Sequence, residues 1–265
     1  MRLFSSGSGW FVGCLLLAMA GCNSTQESMA KVAVEPPVPA LNVAGPLPPV
    51  AATYITRRSV LRTAPHEHEA HEAHAHEEQA ASAVRSTEWR FFREADLVEI
   101  EDLASQSGEL WQRDGSTQFF FKLFHADRRS IEYRMDDLRM LNIAPGWQQS
   151  ALLVDSAVLQ QLRPVAAGWR DGHPFRRMQG EVAGTHWDIV WRLDLNLPAR
   201  IEARRQQLVE VTELQAAYAL EHSPWQRRER LAYEVIDYAD LGDRESDPFI
   251  TRIQQQLPGA VYHRH

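Results

Sequence analysis

Cysteine is nearly missing from this sequence: 265 residues carry two, Cys14 and Cys22. Cys14 lies inside an N-terminal apolar run of the kind removed on export. The remaining chain then has one thiol, which excludes an intrachain disulfide, a thiolate zinc site and an iron–sulfur cluster. Positive charge is also short, with 28 Lys and Arg against 35 Asp and Glu, a formal net charge of −7. No long basic patch appears, so nucleic acid is not an expected partner. The apolar run Trp10–Ala20 is too short for a permanent helical span. HExxH, GxSxG and a glycine-rich phosphate loop are all lacking, and no Ser/His/Asp pattern is recognisable. The expectation is a protein that is not an enzyme and needs no cofactor for chemistry.

What is present begins with MRLFSSGSGWFVGCLLLAMAGCN, where one positive charge precedes the apolar run and small residues precede Cys22. Met19-Ala20-Gly21-Cys22 resembles the lipobox of bacterial lipoproteins. That resemblance implies cleavage before Cys22, its diacylation and N-acylation, and attachment to a membrane through the acyl chains. Each buried CH₂ adds roughly 0.8 kcal/mol, so several chains hold firmly where one is marginal. In such lipoproteins an aspartate after the cysteine favours inner-membrane retention. Asn23 stands there instead, so the resemblance points to the periplasmic face of the outer membrane.

The pattern divides the chain into a signal peptide at 1–21, a tether at 22–86 and a globular domain at 87–265. Pro36, Pro37, Pro39, Pro46, Pro48 and Pro49 interrupt regular structure in the tether. Its later part, PHEHEAHEAHAHEE, places His66, His68, His71, His74 and His76 within eleven residues. The i,i+2 pairs suit an extended chain and the i,i+3 pairs a helix, so no single backbone state presents every imidazole to one ion. Weak uptake of several Zn²⁺, Cu²⁺ or Ni²⁺ ions is one reading. Sensing of acid as the imidazoles charge near pH 6.5 is a second, and a soluble tether without a specific role for them is a third.

From Trp89 onwards the sequence is rich in tryptophan and periodic. In WDIVWRLDLNL, Trp187, Ile189, Trp191, Leu193, Leu195 and Leu197 alternate with polar residues, a strand with one apolar face. Clean alternation favours an antiparallel sheet. WRFFREADLVEIEDL, GELWQRDG, QFFFKLF, SIEYRM and RLAYEVIDYADLG add further strand candidates, giving seven to nine in all. Arg204–Leu220 is read as a strand as well. Two segments prefer the helix. After Pro145, Trp147, Ala151, Val154, Val158 and Leu162 recur at helical spacing until Pro164; near the end, Asp247 caps a helix whose first residue is Pro248.

The runs EADLVEIEDLASQSGELWQRD and FFFKLFHADRRSIEYRMDDLRML, followed by DIVWRLDLNLPARIE, resemble the LolA/LolB-like superfamily of periplasmic lipoprotein-sorting factors. The resemblance covers roughly 89–220 and implies an α+β, mainly β fold: a curved antiparallel sheet forming an unclosed barrel, with two or three covering helices. It also implies a cavity for a lipid or lipoprotein acyl chain, whose lining would be Trp187, Ile189, Trp191, Leu193 and Leu195. Those five residues equally suit a closed core, and the domain is then a structural or protein-interaction lipoprotein of the envelope. His125 in FHADRR is expected on a surface turn. Pairing of His173 and His186 with Asp171 or Asp188 has no support in spacing. The acidic run Asp243–Asp247 lacks the spacing of an EF-hand loop.

Metabolic labelling with a fatty-acid analogue is expected to mark the wild-type protein and to leave Cys22→Ala unmarked. An unlabelled wild type removes the anchor.

Overall fold

A computed structural model of the chain describes residues 36–45, 47–61, 84–143 and 146–257. Cys22 and the five histidines at 66–76 lie outside the described residues. The chain divides after Pro36, and the unit from Pro37 is the one described below.

Twelve strands make one sheet. In chain order they are β1 (Val50–Val60), β2 (Arg85–Arg93), β3 (Leu97–Asp102), β4 (Ser107–Asp114), β5 (Thr117–Phe124), β6 (Arg129–Tyr133), β7 (Arg163–Arg170), β8 (His173–Val182), β9 (Thr185–Arg192), β10 (Leu197–Arg205), β11 (Leu208–Ala219) and β12 (Glu234–Asp237). Their order across the sheet is β12-β6-β5-β4-β3-β2-β1-β11-β10-β9-β8-β7. Every neighbouring pair is antiparallel except β12 on β6, which is parallel. The short helices α1 (Met135–Met140), α2 (Trp147–Leu152), α3 (Ser156–Gln161) and α4 (Pro248–Ile253) accompany it. This is the α+β, mainly β, unclosed sheet that the sequence implies. Among the described residues no helix is long and apolar enough to cross a membrane.

The sheet curls. Lys122 on β5 and Trp187 on β9 line the same groove although seven strand spacings separate them. On a flat sheet those spacings amount to about 33 Å. The inner face holds two apolar clusters. The larger joins Phe91, Trp111, Phe120, Ile131 and Tyr133 to Leu138 of α1 and to Phe249, Ile250 and Ile253 of α4. The smaller joins Met178, Ile189 and Trp191 to Leu152, Leu159 and Leu162 around α2 and α3.

The tether boundary at residue 86 is corrected. Val50–Val60 is a central strand hydrogen-bonded on both sides, to β2 and to β11. Val50, Ala51, Ala52 and Tyr54 are fully buried. Before it, Leu41, Val43 and Leu47 pack on the smaller cluster, and Asn196 Nδ2 donates to Asn42 O at 2.8 Å. A strand buried on both faces loses the period-two signature. Two alanines in VAATYITRRSV lower its hydrophobicity further, and its neighbours are a proline-rich run and a histidine-rich run. Local pattern therefore hides it.

Three other expectations are refined. The strand predicted over 187–197 stops at Arg192, and Leu193–Asn196 turns, with Asn196 at φ 51°, before β10 starts at Leu197. The helix predicted over 147–162 breaks at Leu153, which takes φ 63°; Asp155 then restarts it as α3, accepting from Ala157 N at 2.8 Å. In β12, which the strand candidate RLAYEVIDYADLG contains, Ile236 is the buried residue and Val235 is half exposed. The parallel pairing of Ile236 with Ile131 sets that phase. Asp247 caps α4 as expected, accepting from Phe249 N at 2.8 Å with Pro248 in the first turn.

Arg93, at the end of β2, is 0% exposed, and among the described residues it has no carboxylate partner. Its guanidinium donates to the carbonyls of Ala151 at 2.7 Å, Leu195 at 2.6 Å, Asn196 at 3.2 Å and Pro48 at 3.0 Å. Burial lowers its pKa to about 10, partly offset by Tyr54, so it stays cationic at neutral pH. Arg93→Ala strands two buried and two part-buried carbonyls and is expected to cost about 3 kcal/mol in urea unfolding. Arg93→Lys, with one donor head in place of a planar fork, recovers only part of that loss.

Candidate functional site

The inner face is not filled along its whole length. Beyond the two clusters it opens into a groove of about 670 Å³. Trp187 of β9, Ile201 and Ala203 of β10, Ile100 of β3 and Leu153 make its apolar floor together with Trp89 of β2. Arg58, Arg85, Asp102, Glu109, Lys122 and Glu210 stand around it. Alternation along each strand sends these residues inward and their neighbours outward.

Most polar groups in the groove are held. Trp89 stacks on Tyr54 with ring centroids 4.6 Å apart and donates its indole N–H to Thr56 Oγ1 at 2.9 Å. The Thr56 and Thr212 hydroxyls meet at 2.8 Å across β1 and β11. Arg58 pairs with Glu210, and Lys122 with Glu109 at 3.3 Å. Trp187 differs: its indole N–H is buried without a hydrogen-bond partner among the described residues. An orphan buried donor costs free energy until an acceptor arrives.

The structure separates the five residues expected to line a cavity. Trp187 lines the groove. Ile189 and Trp191 are fully buried in the smaller cluster, where Trp191 Nε1 donates to Asn196 Oδ1 at 3.0 Å. Leu193 and Leu195 sit in the turn after β9, half buried, against the smaller and the larger cluster respectively. Trp89, Thr56, Thr212 and Leu153 escaped the sequence reading. Thr56 lay in a stretch read as tether, and Leu153 enters the groove only because the helix breaks there.

The outer face carries a different construction. On β3, Glu99 and Glu101 point away from the core yet are 1% and 2% exposed. The segment Ser223–Tyr233, between β11 and β12, lies over them. Arg228 Nε meets Glu101 Oε1 at 2.6 Å, Arg230 lies 3.1 Å from Glu99, and Arg227 pairs with Glu94. Arg90 of β2 adds a contact to Glu101 at 3.5 Å and lies over the Trp225 ring. Burial raises the pKa of Glu99, against the pull of Arg230 and Arg227.

His125 stands in the turn between β5 and β6, as expected, but it is buried against this assembly rather than at the surface. It is 5% exposed, and its Nδ1 meets the Tyr233 hydroxyl at 3.0 Å. Burial, and then Arg228, lowers its pKa to about 4. Its Nε2 is buried without a partner among the described residues. His173 instead pairs with Asp194 at 3.1 Å, His186 is exposed, and Asp188 is held by Arg177 and Gln179. Among the described residues no group of three or more His, Cys, Asp and Glu side chains is placed to hold a metal ion.

No protein-family model matches the sequence, and no curated protein matches it. Among solved structures the chain is similar to PNGF-II, at 8% identity and TM-score 0.38 over 76% of this chain and 34% of that one. It is similar to an uncharacterized conserved protein from Thermus thermophilus, at 10% identity and TM-score 0.38 over 72% and 90%. It is also similar to MucB, seen in complex with MucA(peri), at 12% identity and TM-score 0.32 over 71% and 56%. The chain thus spans about a third of the length of PNGF-II. At TM-scores below 0.5 these likenesses carry no weight for activity, ligand or partner.

His125 has a testable signature. Its folded pKa lies below the unfolded value near 6.5, so between those values the unfolded chain binds more protons. Stability that is complete above about pH 6.5 is therefore lost as pH falls towards 4. Chemical unfolding of wild type and His125→Gln is expected to give parallel stability curves above pH 7 and a steeper acid decline for the wild type. Equal slopes between pH 6.5 and 4 refute the assignment.

Proposed function

We propose that this chain is an envelope lipoprotein, anchored through Cys22, whose sheet domain binds a segment of a partner protein in the inner-face groove. The observation that carries the reading is the groove's chemistry. An apolar floor sits beneath charged residues of both signs, and Trp187, whose buried indole N–H has no partner among the described residues, is part of that floor. A polypeptide supplies both apolar side chains and a carbonyl to accept from that indole. A hydrocarbon tail supplies only the first. The acyl-carrier reading that comes with the LolA/LolB resemblance loses support because Ile189 and Trp191, expected in the cavity wall, are packed among side chains of α2 and α3.

The proposed role is one of binding rather than catalysis. Arg58, Glu210, Lys122 and Glu109 face one another as ion pairs, an arrangement that fixes a rim and leaves those groups poorly suited to proton transfer. The resemblance of Met19-Ala20-Gly21-Cys22 to a lipobox, with Asn23 after it, supports anchoring at the periplasmic face of the outer membrane. Weak uptake of Zn²⁺, Cu²⁺ or Ni²⁺ by His66, His68, His71, His74 and His76 is a separate property of the segment between β1 and β2, and the groove does not require it.

A photocrosslinking residue at Ala203, inside the groove, is expected to capture a protein in the cell envelope. The same residue at exposed Met140 is expected to miss it. Trp187→Ala should weaken capture at least tenfold, about 1.4 kcal/mol, with the melting temperature checked alongside. A groove probe that labels only lipid, with the extracted lipid identified by mass spectrometry, replaces this reading with the acyl carrier.

A further inference from the structure

The outer-face assembly is independent of the groove and has its own logic. Glu99 and Glu101 occupy alternate positions on β3, on the face opposite Ile100 and Asp102. A carboxylate on the outer face of a sheet ordinarily keeps its water. Here both are enclosed, and burying a carboxylate is costly unless a cation with good geometry replaces the water. Three arginines of one irregular segment, Arg227, Arg228 and Arg230, meet Glu94, Glu101 and Glu99.

The segment is held mainly by those side chains and, at its end, by the Tyr233 hydroxyl, which meets His125 Nδ1 at 3.0 Å. Among the described residues its backbone hydrogen bonds close within itself, from Tyr233 N to Arg230 O and from Leu231 N to Glu229 Oε1. It joins no strand until Glu234. An open cavity of about 760 Å³ is lined on one side by this segment and on the other by Leu110, Phe121 and Leu123. Leu231 is 96% exposed. The fit to the carboxylates is also imperfect: Glu99 Oε2 and Arg230 Nη1 lie 3.1 Å apart as an ion pair without hydrogen-bond geometry, and Arg227 Nη1 is buried without a hydrogen-bond partner among the described residues.

We propose that Gln226–Tyr233 is a displaceable internal ligand, and that Glu94, Glu99 and Glu101 form a binding site for an extended, arginine-bearing polypeptide of the Arg-Arg-x-Arg kind. The chemistry selects the occupant. Once the strap leaves, the carboxylates regain water, and a polypeptide that covers them again must replace that water with cations; a guanidinium supplies paired donors where an ammonium supplies a point charge. The spacing is set by β3 and its neighbours, with three carboxylates served by residues 227, 228 and 230 of one strap. The cavity leaves room for apolar side chains of the incoming segment over Leu110, Phe121 and Leu123. The strap need not unfold the sheet to leave, because its flanks are fixed separately. Trp225 packs edge-on against Tyr218, and β12 pairs with β6.

The probe is a synthetic peptide copying residues 223–233, with versions carrying alanine or lysine at its three arginine positions adjoining the glutamates. The receptor is the full chain, either unchanged or with Arg227→Ala, Arg228→Ala and Arg230→Ala combined. Fluorescence anisotropy is expected to show the arginine peptide binding the triple variant at least tenfold more tightly than the wild type, whose own strap competes. Affinity should fall as salt rises, the alanine peptide should not bind, the lysine peptide should bind more weakly, and adding Glu101→Gln should abolish binding. A folded triple variant that ignores the peptide, or a wild type that binds it equally well, overturns the proposal. If the triple variant does not fold, deuterium exchange on the unchanged protein decides. Excess arginine peptide must raise exchange at the strap amides while β3 stays protected, and unchanged strap exchange overturns the proposal equally.

Discussion

The domain hangs on Arg93. A guanidinium with no exposed surface, and no carboxylate partner among the described residues, is retained because its N–H groups are spent on carbonyls from three separate places. Pro48 O belongs to the segment before β1, Ala151 O to α2, and Leu195 O and Asn196 O to the turn between β9 and β10. Pro48, Leu195 and Asn196 lie outside the strands, so their carbonyls take a donor from this side chain rather than from a ladder. One side chain therefore fixes the helix cover, the entering chain and the far meander against the end of β2. Tyr54 assists from the same neighbourhood by donating to Pro198 O at 3.0 Å.

With that end closed, the open end acquires two working faces from the same strands. Along β3, Ile100 and Asp102 turn into the groove while Glu99 and Glu101 turn into the arginine assembly. Along β4, Glu109 belongs to the groove, whereas Leu110 belongs to the cavity beneath the strap. The faces are separated by one sheet thickness, so a shift in the register of β3 by a single residue would exchange their chemistries.

What was legible in the sequence was local. The alternation in WDIVWR is a property of successive residues and yields β9; Asp247-Pro248 is a capping signal complete within two residues and yields α4. The helix break at Leu153 required knowing that Asp155 competes to start a new helix. β1 was hidden because its partners are distant: Thr56 meets Thr212 across 156 residues of sequence, and burial on both faces erases the alternation. The arginine assembly was invisible for the same reason, since Arg228 and Glu101 lie 127 residues apart. In the sequence, charges that end up paired across such a distance look like an ordinary solvated surface.

The placement of β1 also sets the order in which the molecule can be made. The strands β2 to β6 form one antiparallel meander and β7 to β11 another, each built from neighbours in sequence. β1 is the seam between them, pairing with β2 on one side and with β11 on the other. Loop-closure entropy delays the distant pairing until β11 exists and is free to dock. A chain made N-terminus first delivers the seam strand early and its second partner more than a hundred residues later. In that interval β1 presents an unpaired edge, the kind of edge on which another chain can pair before the second meander docks.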